Sequence, residues 1–290
     1  MELLMRALRY LVALLVLGAL PARAADILVV QSSRSAAYEE SLRGFRSACK
    51  GTVQTLVLSD YAEVDVVRVV KEEQPRLVLA VGDAALAASR KVDRVPVVGL
   101  LALSLNLAKG PAGSVGGVGV LPAPERYLEL FKAIGVRRVG IVHDPARTGH
   151  YLKRARAAAH QSGITLVVRE VRSPKETAAR LEQMQDAVDA LWMLPDGTAV
   201  TAETLEAFSR FSLRHKVPVV TFSEQYLAKG AAMSLDIDRT DLGRQAGELA
   251  TVLLAHVGAR SMALDARKVR LHANDTVTRN LGLEIPAELR

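Results

Sequence analysis

The chain has 290 residues, of which 50% are hydrophobic and 24% charged, and it carries a formal net charge of +7. This composition excludes global disorder and allows a large buried core. The mild positive charge is mixed with acidic residues along the chain, and no nucleic-acid-binding motif is present, so we expect no nucleic-acid partner. The single cysteine, Cys49, excludes an internal disulfide. Its helical spacing with Leu42 and Phe45 predicts a buried structural thiol.

The chain begins with the three parts of a secretory signal. Arg6 and Arg9 supply positive charge, residues 10–20 form an apolar run, and residues 22–24 supply the small residues that a signal peptidase recognises. The run is too short for a membrane-spanning helix, which needs about 20 residues. We therefore predict that residues 1–24 are removed. The mature protein would then be periplasmic, with no stable membrane insertion after cleavage.

Short apolar runs recur at regular intervals after the signal and predict the strands of two sheets. The runs are Ile27–Val30, Val53–Leu58, Leu77–Val81, Val95–Leu100, Val139–Val142, Ile164–Val168, Ala190–Leu194 and Val217–Phe222. Because they are continuous rather than alternating, they suit strands that are buried on both faces of a parallel sheet. Amphipathic helical patterns lie between them. The predicted fold class is therefore α/β, with two doubly wound, Rossmann-like lobes.

A segment rich in glycine and proline, residues 104–124, interrupts this alternation and predicts the first crossing between the lobes. A phosphate-binding loop is the alternative, but neither GxGxxG nor GxxxxGK[ST] is present, so we expect no cofactor. The predicted first lobe holds residues 25–120 and 236–260. The predicted second lobe holds residues 121–235 and 261–290. A hinge is expected near residues 121–123 and 235–237.

Polar residues follow nearly every predicted strand, where open α/β sheets bind their ligands. The candidate ligand-binding residues are Gln31, Ser32, Ser33, Gly82, Asp83, Asp144, Arg147, Thr148, Asp196, Thr198, Glu224 and Asp236. Asp83, Asp144 and Thr198 also suit helix caps, so both roles stay open for them. Arg147 and Asp196 follow neighbouring strands. They either pair with each other, or Arg147 binds a carboxylate or phosphate of the ligand.

Motifs of catalysis are missing from the sequence. It contains neither a GxSxG nucleophile elbow nor HExxH. His143, Asp144 and His150 could hold a metal ion, but their spacing favours a polar loop at the start of a helix. We therefore expect no catalytic residue and no metal. A secreted α/β enzyme remains the alternative from a different class.

Four stretches of the sequence carry a family resemblance: residues 113–134, 137–150, 216–250 and 274–289. The most specific is the third, which contains D-x-x-x-L-G-R-Q-x-G-E from Asp238 to Glu248. Together they resemble the ABC transporter substrate-binding proteins of the family with tryptophan- and tyrosine-binding members. This resemblance implies the type I periplasmic-binding-protein fold, in which two lobes close on a solute.

The resemblance also implies a function that involves no bond making or breaking. A small polar or amino-acid-like solute would bind in the cleft, and the closed protein, which we expect to be a monomer, would dock an ABC permease in the inner membrane. The alternative is a periplasmic ligand-sensing module that works with a membrane receptor or histidine kinase. The loops expected at the ligand depart from the family pattern, because residues 144–150 read Asp-Pro-Ala-Arg-Thr-Gly-His in place of N-P-S-x-x-N-S. The resemblance therefore supports the family's fold better than it supports an amino-acid ligand.

Overall fold

The computed structural model describes residues 25–107, 115–256 and 262–286, so the predicted signal and part of the Gly-rich segment lie outside the described residues. Its strands are β1 Ile27–Gln31, β2 Val53–Val57, β3 Leu77–Val81, β4 Val97–Leu100, β5 Val115–Pro122, β6 Arg138–His143, β7 Thr165–Glu170, β8 Ala190–Trp192, β9 Val219–Thr221, β10 Met233–Ile237, β11 Ala263–Ala266 and β12 Val269–Ala273. Its helices are α1 Ala36–Ala48, α2 Val66–Glu73, α3 Asp83–Ser89, α4 Pro124–Ala133, α5 Pro145–Ser162, α6 Thr177–Glu182, α7 Leu205–His215, α8 Arg239–Ala255 and α9 Asp275–Asn280. Short 3-10 helices span Leu58–Asp60, Leu103–Leu107, Pro174–Glu176 and Glu224–Lys229.

The strands form two six-stranded sheets, which confirms the predicted fold class. The first sheet has the order β11-β5-β4-β3-β1-β2, and all its pairs are parallel. The second has the order β12-β10-β9-β8-β6-β7, with one antiparallel pair, β10 with β12. Every residue of β1 and β3 is buried, as the continuous apolar runs predicted. The Cys49 thiol is buried in the core of the first lobe, also as predicted.

Three connections join the two sheets within the described residues: β5 to β6, β10 to α8 and β11 to β12. The prediction that residues 261–290 belong wholly to the second lobe is wrong for β11. This strand pairs with the outer edge of β5 and so extends the first sheet. Burying the hydrogen-bonding groups of that edge explains the pairing. The last crossing therefore falls at residues 267–268.

Helix α8 returns the chain to the first lobe by packing closely on α1. An ideal Cβ atom on Gly243 would lie 1.8 Å from the Ser41 carbonyl oxygen, and one on Gly44 would lie 1.9 Å from the Thr240 carbonyl oxygen. Only glycine allows two helix backbones to approach this closely. The two helices thus share one interface, which fixes α8 to the first lobe.

Asp238 joins the second and third connections between the lobes. As the N-cap of α8, it accepts a hydrogen bond of 2.9 Å from the Asp241 backbone N–H. Its carboxylate also contacts Arg270 at 2.8 Å and Lys268 at 3.3 Å. Burial alone would raise the pKa of Asp238, but the Asp241 hydrogen bond and the two cations lower it to about 2. The ionised carboxylate therefore holds the crossing segments together.

Membrane-spanning character is absent from the described helices: none of those within residues 25–107, 115–256 and 262–286 is long and apolar enough to cross a bilayer.

Candidate functional site

A cleft of about 530 Å³ opens between the carboxyl ends of the strands of the two sheets. The first lobe contributes Asp83, Ala87, Arg90, Leu103 and Ser104 to its wall. The second contributes Arg147, Thr148, His150, Tyr151, Pro195 and Gly197, and Leu121 lies at the first connection. The volume falls within the range of small-molecule sites, about 300–1,000 Å³. Three of the predicted candidates, Asp83, Arg147 and Thr148, therefore line one cleft.

Helix α5 places Arg147 in the cleft. The helix begins at Pro145, with Asp144 as its N-cap, and ends before Gly163, whose φ of 70° suits a helix C-terminus. The Asp144 carboxylate accepts a hydrogen bond of 2.9 Å from the Ala146 N–H. Asp144 therefore takes the capping role that its residue type allowed, and Arg147 follows within the first turn.

Thr198 and Asp144 orient the guanidinium of Arg147. The Nε–H of Arg147 donates to Thr198 Oγ1 over 2.8 Å, and the Thr198 hydroxyl donates to Asp144 Oδ2 over 2.8 Å. Arg147 Nε lies 3.8 Å from the same carboxylate oxygen. Burial would raise the pKa of Asp144, but its hydrogen bonds from Ala146 and Thr198 and the charge of Arg147 lower it below the usual value. Asp144 therefore stays ionised beside Arg147.

Asp196 does not pair with Arg147, so the ion pair that the sequence allowed is not formed. The Asp196 side chain is buried and accepts four hydrogen bonds. The donors are the Asp144 N–H at 2.8 Å, the Thr148 hydroxyl at 2.9 Å, the Thr198 N–H at 2.9 Å and the Ala199 N–H at 3.0 Å. An ionised carboxylate has about four acceptor positions. Asp196 is thus saturated, and it ties the loop after β8 to the start of α5.

His143, at the end of β6, extends this hydrogen-bonded cluster into the core. Its Nδ1 lies 3.1 Å from Thr148 Oγ1. The Thr148 hydroxyl donates to Asp196, so we assign the proton between His143 and Thr148 to Nδ1. Nε2 has no hydrogen-bond partner among the described residues. Burial lowers the pKa of His143, and the nearby Asp196 carboxylate opposes that shift only in part. The imidazole is therefore neutral in the folded protein at pH 7.

Acidification should destabilise the fold through His143. Because its folded pKa lies below the usual 6.5, the unfolded chain takes up the proton first as pH falls. The stability contribution is present above about pH 6.5 and declines below it.

We expect His143→Asn, which keeps a donor near Thr148, to show a smaller drop in unfolding free energy between pH 7.5 and pH 5 than the wild type. Urea titrations measure both drops. The exposed His160→Asn variant serves as control and should keep the wild-type drop. Equal drops in the wild type and His143→Asn would contradict the assignment.

Several first-lobe candidates shape the turns behind the cleft and are not among its lining residues. The Ser32 hydroxyl donates to the Val81 carbonyl over 3.1 Å and accepts from the Ala85 N–H over 2.9 Å. Gly82 has a φ of 88°, and a Cβ atom there would lie 2.2 Å from the Tyr38 hydroxyl. Gln31 is buried, with its Nε2 3.5 Å from Glu39. Ser33 is half-buried at the start of the same loop.

Asp83 faces the cleft and also holds the loop after β4. Its carboxylate accepts hydrogen bonds from the Ser104 N–H at 2.7 Å and the Leu103 N–H at 3.2 Å. The N-cap position of α3 belongs to Gly82, so Asp83 does not take the capping role. Thr198 is likewise no cap, because the helix that follows it, α7, has Thr204 at its N-cap.

Glu224 and Asp236 line a separate hollow of about 170 Å³, together with Glu40, Arg239, Arg270 and His272 among others. Asp236 accepts from the Glu224 N–H at 3.0 Å and from the Ser234 hydroxyl at 2.6 Å. Glu224 Oε2 lies 3.5 Å from His272 Nδ1. These two candidates therefore do not share the cleft that Arg147 lines.

Sequence reasoning missed Arg90 and Tyr151, which line the cleft from helices. Tyr151 lies four residues after Arg147 on α5, and Arg90 lies seven residues after Asp83, at the end of α3. Residues four or seven apart share a helix face, so this spacing was the signal that could have found them. The Tyr151 ring is buried, and its hydroxyl donates to the Pro122 carbonyl over 2.9 Å.

Metal-binding clusters are absent from the described ranges 25–107, 115–256 and 262–286, where no three His, Cys, Asp or Glu side chains are grouped to hold an ion.

Comparisons with known proteins match this architecture. The sequence profile described as "ABC transporter substrate binding protein" matches residues 58–290. A tyrosine-binding protein of Clostridioides difficile (strain R20291) is 22% identical over 148 residues, which are 50% of this chain and 42% of that relative. The chain thus spans less than half the length of that relative.

Solved structures share the two-lobed fold. The ligand-free, open structure of a substrate binding protein with adhesive properties from Clostridium difficile has a TM-score of 0.70 at 17% identity, over 90% of this chain and 96% of that one. An ABC domain from Streptococcus pneumonia in complex with L-Trp has a TM-score of 0.62 at 20% identity, over 91% of this chain and 96% of that one. Because the family profile covers most of the sequence, the chain belongs to the family of ABC transporter substrate-binding proteins.

Proposed function

We propose that this protein is the exported solute-binding component of an ABC importer. It binds a small polar or amino-acid-like ligand between its lobes and delivers it to a permease in the inner membrane. The single observation that carries the proposal is the cleft of about 530 Å³ lined by the strand ends of both sheets. A ligand there contacts both lobes at once, so its binding favours a closed arrangement.

The residues proposed to contact the ligand are Asp83, Arg90, Arg147 and His150. Arg147 is the strongest candidate, because its Nε is held by Thr198 while its Nη atoms make no hydrogen bond to any described residue. Asp144, Asp196 and Thr198 position it from behind. This set keeps only Asp83 and Arg147 of the twelve sequence candidates and adds Arg90 and His150. Among the others, the side chain of Asp196 is saturated, and those of Ser32 and Gln31 face the turns behind the cleft.

The proposed motion is a hinge closure at the connections between the lobes, close to residues 121–123 and 235–237. Arg154 on α5 forms a bidentate ion pair with Asp265 on β11, and the Arg154 pKa is raised, chiefly by that hydrogen bond. This pair lies beside the first and third connections. It is therefore suited to limit sliding of the lobes while they rotate.

Uptake by living cells tests the importer role. A strain that lacks this chain should lose import of the ligand found by a thermal-shift screen, and the wild-type chain should restore that import. The variant Arg147→Ala should restore it poorly. Unchanged import, with a transcriptional response to the ligand lost instead, would contradict the importer role and favour the sensing role. Intact-mass measurement of the exported chain tests cleavage after Ala24.

A further inference from the structure

The charged side chains that line the cleft are mostly cationic. Arg90 enters from the first lobe and Arg147 from the second. Asp83 is the one carboxylate among the described lining residues, and each of its oxygens accepts one hydrogen bond, from the N–H groups of Leu103 and Ser104. An ammonium group in this cleft would therefore meet two guanidinium groups and a single carboxylate, about half of whose acceptor positions are already used.

The guanidinium of Arg147 is oriented, and its unused N–H donors can bind an anion. Its Nε is fixed by Thr198 at 2.8 Å, so the guanidinium plane is oriented, and its Nη donors make no hydrogen bond to a described residue. Arg90 makes one long hydrogen bond, 3.4 Å from its Nη2 to the Ser104 carbonyl, and its other donors face no partner in the described part of the chain. A guanidinium binds a carboxylate through two parallel N–H donors.

Most of the rest of the wall is apolar, apart from Ser104, Thr148 and His150. Ala87 and Leu103 lie on the first lobe, Leu121 at the connection, and Tyr151 and Pro195 on the second lobe. The Tyr151 hydroxyl is turned away to the Pro122 carbonyl, so the tyrosine offers the cleft its ring. Leu103 is 50% exposed at this wall. Such a wall suits an apolar body of aromatic size next to the anionic group.

We propose that the ligand is an organic carboxylate with an apolar body and no ammonium group. Arg147 binds the carboxylate from the second lobe, Arg90 approaches it from the first lobe, and Leu103, Leu121 and Tyr151 cover the apolar body. This inference rests on the proposed function, since it assumes that the cleft binds a solute. It departs from an amino-acid ligand, whose ammonium group would face Arg90 and Arg147 with only the partly occupied carboxylate of Asp83 to balance them.

Matched pairs of probes test the proposal by isothermal titration of the mature chain. 3-Phenylpropionate and L-phenylalanine share one skeleton and differ in the ammonium group, as do indole-3-propionate and L-tryptophan. Phenethylamine carries the cation alone and acetate the bare carboxylate. We expect the desamino acid of each pair to bind at least about tenfold more tightly than its amino acid, with no binding of phenethylamine.

Variants assign the contacts. Arg147→Ala should weaken binding of 3-phenylpropionate by at least about tenfold, and Arg147→Lys should recover only part of it, because lysine lacks the planar pair of donors. Arg214→Ala is the matched control: it also removes one positive charge from the second lobe, at the exposed far end of α7, and should bind normally. Equal binding by Arg147→Ala and the wild type would overturn the assignment.

The outcomes separate this inference from the proposed function. Tighter binding of L-phenylalanine than of 3-phenylpropionate, with the preference lost in Asp83→Asn, would overturn the inference and leave the solute-binding role intact. Binding of a sugar or another uncharged compound, with none of the carboxylates, would do the same. A broad screen in which no compound raises the melting temperature would instead count against the proposed function itself.

Discussion

Replacing Gly243 with alanine should lower the free energy of unfolding by about 3 kcal/mol, at the upper end of the cost of overpacking. The added methyl group would lie 1.8 Å from the Ser41 carbonyl oxygen, and a backbone atom cannot rotate away. Helices α1 and α8 would have to separate. Alanine also favours a helix by about 1 kcal/mol over glycine, but that gain is smaller than the cost of the collision.

Gly149→Ala is the matched control for this prediction. Gly149 lies inside α5, where the nearest atom to an added Cβ is the Pro145 Cβ at 3.8 Å, an ordinary contact. This variant should gain up to about 1 kcal/mol from helix propensity alone. Urea unfolding of both variants measures the difference. A Gly243→Ala protein as stable as Gly149→Ala would show that the two helices do not pack as described.

Replacing Asp196 with asparagine should cost at least about 3 kcal/mol of unfolding free energy, because hydrogen bonds to a buried charge contribute about 1.5–3 kcal/mol each. The carboxylate accepts from the N–H groups of Asp144, Thr198 and Ala199 and from the Thr148 hydroxyl. In asparagine an NH2 group replaces one carboxylate oxygen, so its N–H donors would face the N–H or O–H donors that this oxygen now accepts from. The same change should weaken ligand binding, since the start of α5 would lose its anchor.

Asp186→Asn tests whether any loss of an aspartate in this lobe has the same effect. Asp186 is exposed, with a φ of 59°, a conformation that asparagine also tolerates, so this variant should unfold like the wild type. Thermal and urea unfolding of the two variants give the comparison. A stability loss of less than about 1 kcal/mol for Asp196→Asn would contradict the saturated carboxylate.

The sheets were predictable because their strands are buried on both faces. Residues 27–30 and 77–81 are continuous apolar runs, and a buried parallel strand needs such a run. Strand β11 was not predictable as part of the first sheet. Its four residues, Ala263–Ala266, contain one aspartate, and their pairing with β5 joins segments far apart in the sequence. Local pattern carries no signal for a pairing of that kind.

The D-x-x-x-L-G-R-Q-x-G-E motif, residues 238–248, carried the most specific resemblance, and its side chains stabilise the fold rather than line the cleft. Gly243 allows α8 to approach α1, and the Gln245 Nε2 donates over 2.9 Å to the Asp265 carbonyl on β11, just before the third connection. Arg267 on that connection binds Asp241 at 2.9 Å and Glu248 at 2.7 Å. The spacing in the motif therefore follows from the geometry of the crossings, which explains why the fold was easier to predict than the ligand.

The candidate site was predictable in place but not in role. Position after a strand identified Asp83, Arg147 and Thr148 as cleft residues. The same rule also selected Asp196, but its carboxylate already accepts four hydrogen bonds from residues that follow β6 and β8. A sequence does not show how many hydrogen-bond donors will lie around one side chain. Hydrogen bonds between loops that are distant in the sequence thus decide which residues can contact a ligand and which ones position those residues.

Small-angle X-ray scattering tests the central claim, that the lobes close on a ligand bound between them. The mature chain is measured alone and with a saturating amount of the tightest compound from the matched pairs, beside Arg147→Ala under the same conditions. We predict a smaller radius of gyration for the wild type with the compound, and no change for Arg147→Ala at a concentration that saturates only the wild type. Equal radii for the wild type with and without bound compound would contradict closure.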